Sequence, residues 1–254
     1  MKFSEQLPYP QLIPLLSDWF DSPLGQKLLQ QEQDFAEQVL PTLFGYHLLQ
    51  IGWDHRQCLF GASPVSRKLM LIPQMQLGAD ARTLIAHPAE LPIQSSEVDV
   101  VILHHALDYA DNPHQVLREA ARVLRPGGHL LSFSFNPVSY WGLWRFFKRR
   151  MPPLWSGQFI SPGRLQDWLG LLEMTSLKNR SMCHHLPIES ERWRQRLRMF
   201  ECCSRKLPLN SGAVLMVLAR KDVAGMTPLK AEWKHRRLLS MPSAEPKPTA
   251  RRMK

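Results

Sequence analysis

The chain lacks any apolar run long enough to cross a membrane. Although 44% of its 254 residues are hydrophobic, none of the runs approaches the roughly 20 residues that a membrane helix needs. The first residues, MKFSEQLPYPQL, lack the apolar core that is typical of a signal peptide. We therefore expect a cytoplasmic protein without a transmembrane segment.

Cysteine is scarce, and its spacing matches no metal site. The four cysteines are Cys58, Cys183, Cys202 and Cys203. They lack the paired spacing of zinc ligands, and the two adjacent ones are poorly placed to bond to each other. We expect four reduced thiols, and the sequence predicts no metal site.

Acidic residues are outnumbered, mainly at the carboxyl terminus. The chain has 32 Lys and Arg against 22 Asp and Glu, a net charge of +10. Nine of these basic residues and only three of the acidic ones lie from Lys221 onward. Together with the prolines near the end, this composition predicts a basic, disordered tail over residues 222–254. The tail either makes weak contact with an anionic surface, such as nucleic acid or lipid, or is a solubilising extension.

One stretch predicts strand, helix and strand in succession. Val98–Leu103 is a short β-branched run, as expected of a strand buried on both faces. Asn112 and Pro113 are typical of a helix start, Pro126–Gly128 ends that helix, and HLLSFSF is again extended. Other runs predict a proline-containing arm over residues 1–21, helices over 22–40 and 161–172, a helical segment over 186–205, and strands over 46–51, 67–72, 82–85, 174–179 and 213–219.

The string from Arg118 to Gly128, REAARVLRPGG, carries a family resemblance. It closely resembles the segment between strands four and five in class I S-adenosylmethionine-dependent methyltransferases of the type 11 group, and Ala89–Pro92 resembles a loop common in that group. Similarity to a gammaproteobacterial branch lies in three further segments: Phe135–Pro137, Trp141–Leu143 and Gly163–Leu169.

The resemblance implies an α/β fold of the Rossmann-like type. That fold is a doubly wound seven-stranded sheet with an antiparallel last strand. It divides the chain into an N-terminal arm and helix (1–42), a methyltransferase-like domain (43–221) and the basic tail (222–254). In this family the helix at 22–40 would cover the cofactor cleft as a gate; the alternative is simple packing against the sheet edge. The composition of the aromatic, basic segment 139–155 predicts either a lid over the acceptor, or aromatic side chains that close the core over the sheet with the basic residues in solvent.

The resemblance also implies where S-adenosylmethionine binds, and here the sequence departs from the family. At the end of strand one the family has an acid and then a Gly-x-Gly-x-Gly loop, whereas this chain has Gln50 at the acidic position and only Gly52 of the three glycines. By position, the expected cofactor-binding residues are Gln50, Gly52, Asp54, Gln74, His87 and His104. Two explanations remain open: a divergent branch that holds the cofactor by other contacts, or a scaffold that no longer binds it.

His104 and His105, at the end of the fourth strand, are the candidate catalytic residues. Either imidazole has a pKa that suits a general base for a hydroxyl or acid acceptor. The alternative is that one ring packs on the cofactor and the other caps the next loop. Asp108 is a further candidate at the mouth of the cleft. The predicted function is methyl transfer to a small or amphipathic acceptor; a non-catalytic methyltransferase-like interaction module is the alternative.

Overall fold

The computed structural model describes residues 8–147, 157–183 and 212–222 of the chain. Its strands form one seven-stranded sheet in the order β3-β2-β1-β4-β5-β7-β6. The strands are β1 (His47–Ile51), β2 (Arg67–Ile72), β3 (Thr83–Ile85), β4 (Val98–His104), β5 (Leu124–Phe135), β6 (Met174–Met182) and β7 (Val214–Lys221). β1 to β5 pair in parallel, and β7 lies antiparallel between β5 and β6. The predicted doubly wound sheet with an antiparallel last strand is confirmed.

Three of the helices begin where the sequence predicts capping residues. The helices are α1 (Tyr9–Phe20), α2 (Pro23–Val39), a 3-10 turn (Leu40–Thr42), α3 (Pro113–Val123), α4 (Tyr140–Phe147) and α5 (Pro162–Leu171). Ser22 and Ser161 accept hydrogen bonds at the starts of α2 and α5, and Asn112 does the same for α3. Each cap precedes a proline in the first turn, where its missing N–H is not needed.

The prediction of an arm over residues 1–21 is wrong for the segment that forms α1. Its prolines are compatible with a helix: Pro10 lies in the first turn, and only Pro14 lies inside the helix, where it removes one backbone hydrogen bond. Burial of an apolar face with helical spacing offsets that loss. The buried residues of this face are Leu12, Ile13, Leu16 and Phe20.

Helices cover both faces of the sheet. Alternate strand residues point to opposite faces, so Leu48, Val100 and Ile102 lie in one apolar cluster with residues of α1 and α2. Leu49 and Val101 lie in the other, with residues of α3 and α5. By the same alternation, Gln50 of β1 and His104 of β4 point to the face covered by α1 and α2.

Several sequence predictions concern residues outside the described ranges. These are most of the lid from 148 to 155, the helical segment at 186–205 and the basic tail from 223 onward. In the described part of the chain, no helix combines the length and the apolar character needed to span a bilayer.

Candidate functional site

Four buried polar residues meet at the carboxyl end of β4. Glu32 comes from α2, His104 is the last residue of β4, and His105 and Asp108 follow in the next loop. Each is at most 1% exposed. Because an unpaired buried charge is very unfavourable, such a group must be internally compensated.

A left-handed residue brings both imidazoles to the same side of the sheet. Neighbouring residues of a strand normally point to opposite faces. His105 has φ of 51°, which ends the strand, and its ring centroid lies 5.0 Å from that of His104. The His105 ring stacks on Phe135 at 4.2 Å, so the apolar core fixes its orientation. Unfavourable backbone conformations of this kind are concentrated at functional sites.

Glu32 joins the two histidines. Its Oε2 atom lies 3.0 Å from His104 Nε2, and its Oε1 atom lies 2.9 Å from His105 Nε2. Since an ionised carboxylate only accepts hydrogen bonds, each Nε2 carries the proton and donates it. His105 also donates from Nδ1 to Asp108 Oδ2 over 2.8 Å, and Asp108 accepts from the Phe135 backbone N–H over 3.0 Å. The result is one chain of acid and imidazole groups.

The two histidines differ in protonation. Burial alone would lower the pKa of His105, but the charge of Glu32 and the hydrogen bonds to Asp108 and Glu32 raise it to about 9. Burial lowers the pKa of His104, and the hydrogen bond and charge of Glu32 only partly oppose this. At neutral pH, His105 is therefore a cation held by two acids, whereas His104 is neutral with a lone pair on Nδ1.

The two acids of the cluster shift in opposite directions. Burial raises the pKa of Glu32, but the charge of His105 and hydrogen bonds from both histidines outweigh it and lower the pKa to about 2. For Asp108, burial dominates over the hydrogen bond and charge of His105, so its pKa rises to about 6. Both are ionised at neutral pH, and with the His105 cation the cluster carries a net charge of −1.

Gln50, which takes the place of the family's acid, holds the loop after β1. Its Nε2 donates to the Gln57 carbonyl over 2.6 Å, and its Oε1 accepts from the Leu59 N–H over 2.9 Å. The side chain is fully buried. Both functional atoms of the amide are thus bonded to the backbone of this chain.

Asp54 and Arg56 stand where the family has its second and third glycines, and they bond the loop after β1 to α1 and the residue that follows it. Arg56 Nη2 donates to Asp54 Oδ2 over 2.8 Å, and the Ser17 hydroxyl donates to the same oxygen over 3.1 Å. Arg56 Nη1 also reaches Asp21, just beyond α1, at 3.3 Å. Burial opposes ionisation of Asp54, but the hydrogen bonds and charge of Arg56 keep its pKa below the usual value.

The ring of Phe20 lies between this loop and the histidines. Its centroid is 4.9 Å from Trp53, 6.2 Å from His104 and 5.8 Å from His105. Phe20 and Trp53 are 1% and 3% exposed. The Trp53 Nε1–H is buried and has no hydrogen-bond partner among the residues that the structure describes. An aromatic pair therefore occupies the cleft beside Gly52.

The remaining predicted cofactor residues are less enclosed. A Cβ added at Gly52 would lie 3.9 Å from His104 Cβ, so Gly52 and His104 are neighbours. Gln74 and His87 instead follow β2 and β3 on the exposed surface. His87 Nδ1 accepts from the Ala89 N–H over 3.2 Å. The structure thus brings together Gln50, Gly52 and His104 and places Gln74 and His87 at the open side.

Glu32 is the functional residue that the sequence analysis missed. It lies 72 residues before His104, and no motif links the two. A signal was present nonetheless: Glu32 interrupts the buried stripe of α2 between Leu28 and Phe35. A carboxylate at an apolar position of an amphipathic helix requires a buried partner.

Comparison with known proteins gives the same fold. A solved Thermotoga maritima structure, described as an S-adenosylmethionine-dependent methyltransferase and possible histamine N-methyltransferase, superposes with a TM-score of 0.63. It is 16% identical, and the match covers 84% of this chain and 98% of that one. Geranyl diphosphate methyltransferase in complex with S-adenosylmethionine superposes with a TM-score of 0.52 at 15% identity, over 75% of this chain and 84% of that one.

Sequence comparison identifies the family. The type 11 family model, described as a methyltransferase domain, matches residues 65–132. An uncharacterised protein of Escherichia coli (strain K12), YafS, is 33% identical over 183 residues, which are 70% of this chain and 72% of that protein. The sheet order and these matches together show that the chain belongs to the class I S-adenosylmethionine-dependent methyltransferases, in the type 11 group.

Proposed function

We propose that this protein transfers a methyl group from S-adenosylmethionine to a small or amphipathic acceptor at the carboxyl ends of β1 and β4. The carrying observation is the fully buried cluster of Glu32, His104, His105 and Asp108 beside Gly52. Burying several ionisable groups is unfavourable for folding, and strongly shifted pKa values cluster at functional sites. Ligands of open α/β sheets also bind at this end of the strands.

The residues present fit the cofactor at both ends of the cleft. On the exposed side, Gln74 offers an amide oxygen as an acceptor for a hydroxyl group of an adenosine. His87, whose Nδ1 already accepts from the Ala89 N–H, offers Nε2–H as a donor to a ring nitrogen of the adenine. At the inner end, the Trp53 Nε1–H, which has no hydrogen-bond partner within the described part of the chain, is a donor suited to a carboxylate. Gln50 and Asp54, expected as direct ligands, are assigned instead to holding the loop, since their polar atoms bind residues of this chain.

Phe20 acts as a gate in this proposal. Its ring lies against Trp53 and both histidines, so ligand entry requires the end of α1 to move outward. The hydrogen bond from Ser17 to Asp54 and the ion pair of Asp21 with Arg56 hold α1 against the loop after β1, so they oppose that movement. The gate therefore lies in α1, one helix earlier than the sequence analysis placed it.

His104 is assigned as the general base, and His105 is excluded from that role. The bound cofactor supplies an electrophilic methyl group to an in-line displacement. An acceptor O–H would give its proton to the neutral Nδ1 of His104, and the resulting imidazolium would be stabilised by Glu32 at 3.0 Å. His105 is already protonated at neutral pH, so it orients Glu32 and cannot take a second proton.

The surroundings of the base favour an amphipathic acceptor. Phe20, Phe135 and Trp141 are fully or nearly fully buried on the same face as His104. Such walls exclude water and bind apolar carbon, while the base requires an ionisable hydroxyl or acid on the acceptor.

Calorimetric titration of the full chain with S-adenosylmethionine and S-adenosylhomocysteine tests the proposal. Saturable heat and a thermal shift are expected. His104→Gln should retain that binding but transfer about 10²- to 10⁴-fold less labelled methyl group to an extract of small metabolites. His129→Gln, in the middle of β5 where it pairs with Val100, is the matched control. No heat and no thermal shift at millimolar ligand would overturn cofactor binding.

The buried Phe20–Trp53 pair favours a second candidate, a non-catalytic interaction module. In that case the aromatic pair is a permanent filling of the cleft. Amide spectra recorded with excess S-adenosylmethionine distinguish the two. Shifts of the Phe20, Trp53 and His104 signals support the enzyme, whereas unchanged signals support the module.

A further inference from the structure

We propose that Glu32, His104 and His105 form a binding site for a divalent transition-metal ion. One carboxylate oxygen and one ring nitrogen from each histidine lie within 4.8 Å of one another, and all three side chains are buried. Neither the family resemblance nor the cysteine spacing indicates such a site. It arises from the left-handed backbone of His105, which brings the His105 ring to the side of the sheet on which His104 already faces Glu32.

The distances suit a six-coordinate ion. Imidazole and carboxylate ligands lie about 2.0–2.1 Å from metals such as zinc, so neighbouring ligands at right angles are about 2.9 Å apart. The observed separations between Nε2 atoms and carboxylate oxygens are 2.9 and 3.0 Å. Glu32 offers both oxygens, one toward each histidine. The remaining coordination positions are left for water or for an oxygen of a substrate.

The groups behind the ligands have the chemistry of a metal site. A ligating histidine usually donates its other ring nitrogen to a carboxylate, which fixes its tautomer. His105 does this through Nδ1 to Asp108 at 2.8 Å, and the Phe135 N–H in turn holds Asp108. Two carboxylates beside two imidazoles leave negative charge for a dication to neutralise. Two nitrogens and a carboxylate favour zinc, iron(II), cobalt or nickel over magnesium and calcium.

Metal binding and base catalysis exclude each other at His104. A bound metal would displace the Nε2 proton of each histidine. The neutral His104 would then carry its proton on Nδ1, and the His105 cation would lose one proton to solvent, so the loaded protein would have no free base at His104. The metal would instead lower the pKa of an acceptor hydroxyl that it bound. This inference does not depend on the proposed methyl transfer, because metal binding is measurable without S-adenosylmethionine.

The test uses full-length, chelator-treated protein titrated with Zn²⁺ and Co²⁺. We expect one tight equivalent by calorimetry and a cobalt d–d spectrum without thiolate charge-transfer bands. Asp108→Asn should weaken binding by about 10- to 100-fold, and Glu32→Gln and His104→Gln should weaken it more. His47→Gln removes a partly buried histidine that lies 3.8 Å from Glu97, and it should bind as wild type does.

A wild-type measurement keeps the inference testable if the buried variants fail to fold. Electron paramagnetic resonance of the Cu²⁺-loaded wild type should show hyperfine coupling to two imidazole nitrogens. The proposal is overturned by absent binding, by thiolate bands, by coupling to fewer than two nitrogens, or by a folded Glu32→Gln variant with wild-type affinity.

Discussion

Glu32 Oε1 lies 2.9 Å from His105 Nε2, and this contact connects the middle of α2 to the loop that follows β4. Both side chains are fully buried, and the second oxygen of Glu32 binds His104. The position of the covering helix and the charge state of the site are therefore coupled. A change in the protonation of His105 acts on the attachment of α2 as well as on the site.

The first prediction concerns stability at alkaline pH. The pKa of His105 is raised to about 9 in the folded protein from its ordinary value of 6.5. Its stabilising contribution is thus complete below pH 6.5 and is lost as pH rises through 9. Between pH 7 and 9, the free energy of unfolding should fall by about 2–3 kcal/mol more in the wild type than in His105→Gln. Urea unfolding at both pH values measures this difference.

The neighbours of His105 titrate mainly below that window. Glu32 has a pKa lowered to about 2, Asp108 has one raised to about 6, and the pKa of His104 is lowered. Groups outside this cluster titrate equally in both variants and cancel in the comparison. Adding Asp108→Asn to both proteins removes the titration of Asp108, whose pKa the hydrogen bond and charge of His105 hold down. Parallel pH curves for wild type and His105→Gln would show that His105 is not protonated between two acids.

The second prediction distinguishes a structural from a ligand-binding role for Gln50. Gln50→Glu restores the family's acid but removes the donor to the Gln57 carbonyl, which lies 2.6 Å from Nε2. A buried carboxylate would then face a carbonyl oxygen. We expect a loss of about 1–3 kcal/mol in the free energy of unfolding and no gain in affinity for S-adenosylhomocysteine. Tighter binding with unchanged stability would assign Gln50 to the cofactor instead.

Most strands and helix starts were predictable because their signals are local, whereas the arrangement of the strands in the sheet followed from the family resemblance. Ser22, Asn112 and Ser161 cap helices at the predicted places, and Arg67–Ile72 is a strand with the predicted bounds. α1 was missed because proline content was taken as a signal for an arm, whereas the buried apolar spacing determines the helix. Tertiary burial outweighed local propensity there.

Only part of the candidate site was predictable from the sequence, because the rest depends on contacts between residues far apart in the chain. His104 and His105 follow a recognisable strand, so their position at its end could be inferred. Their difference in protonation depends on Glu32, 73 residues before His105 in the chain, and on a left-handed backbone at His105. Neither the long-range pairing nor that backbone conformation has a sequence signature.

The third prediction compares the two acids that bind Arg56. The Asp54 side chain is 2% exposed, whereas that of Asp21 is 54% exposed. Asp54→Asn should lower the free energy of unfolding by about 1–3 kcal/mol, because it removes the charge from a buried hydrogen-bonded pair. Asp21→Asn should cost no more than about 1 kcal/mol, as is usual for exposed pairs. Urea denaturation of both variants measures the two changes in the free energy of unfolding. Equal losses would contradict the assignment of Asp54 as the main partner that Arg56 has in this loop.

The fourth prediction concerns the gate. Phe20→Ala removes the ring that lies between Trp53 and the two histidines, so the cleft opens without any movement of α1. The affinity for S-adenosylhomocysteine should rise, although core truncation of this kind lowers the free energy of unfolding by about 3–5 kcal/mol. Calorimetric titration and thermal unfolding give the two quantities.

Phe35→Ala is the matched control for the gate. Phe35 is equally buried on the same face of the sheet, but its ring packs 6.3 Å from Phe133. It should therefore show a similar loss of stability without a gain in affinity. If both variants bind equally, general loosening of the core explains the effect; if Phe20→Ala binds more weakly than the wild type, the Phe20 ring is part of the cofactor site and not a barrier to it.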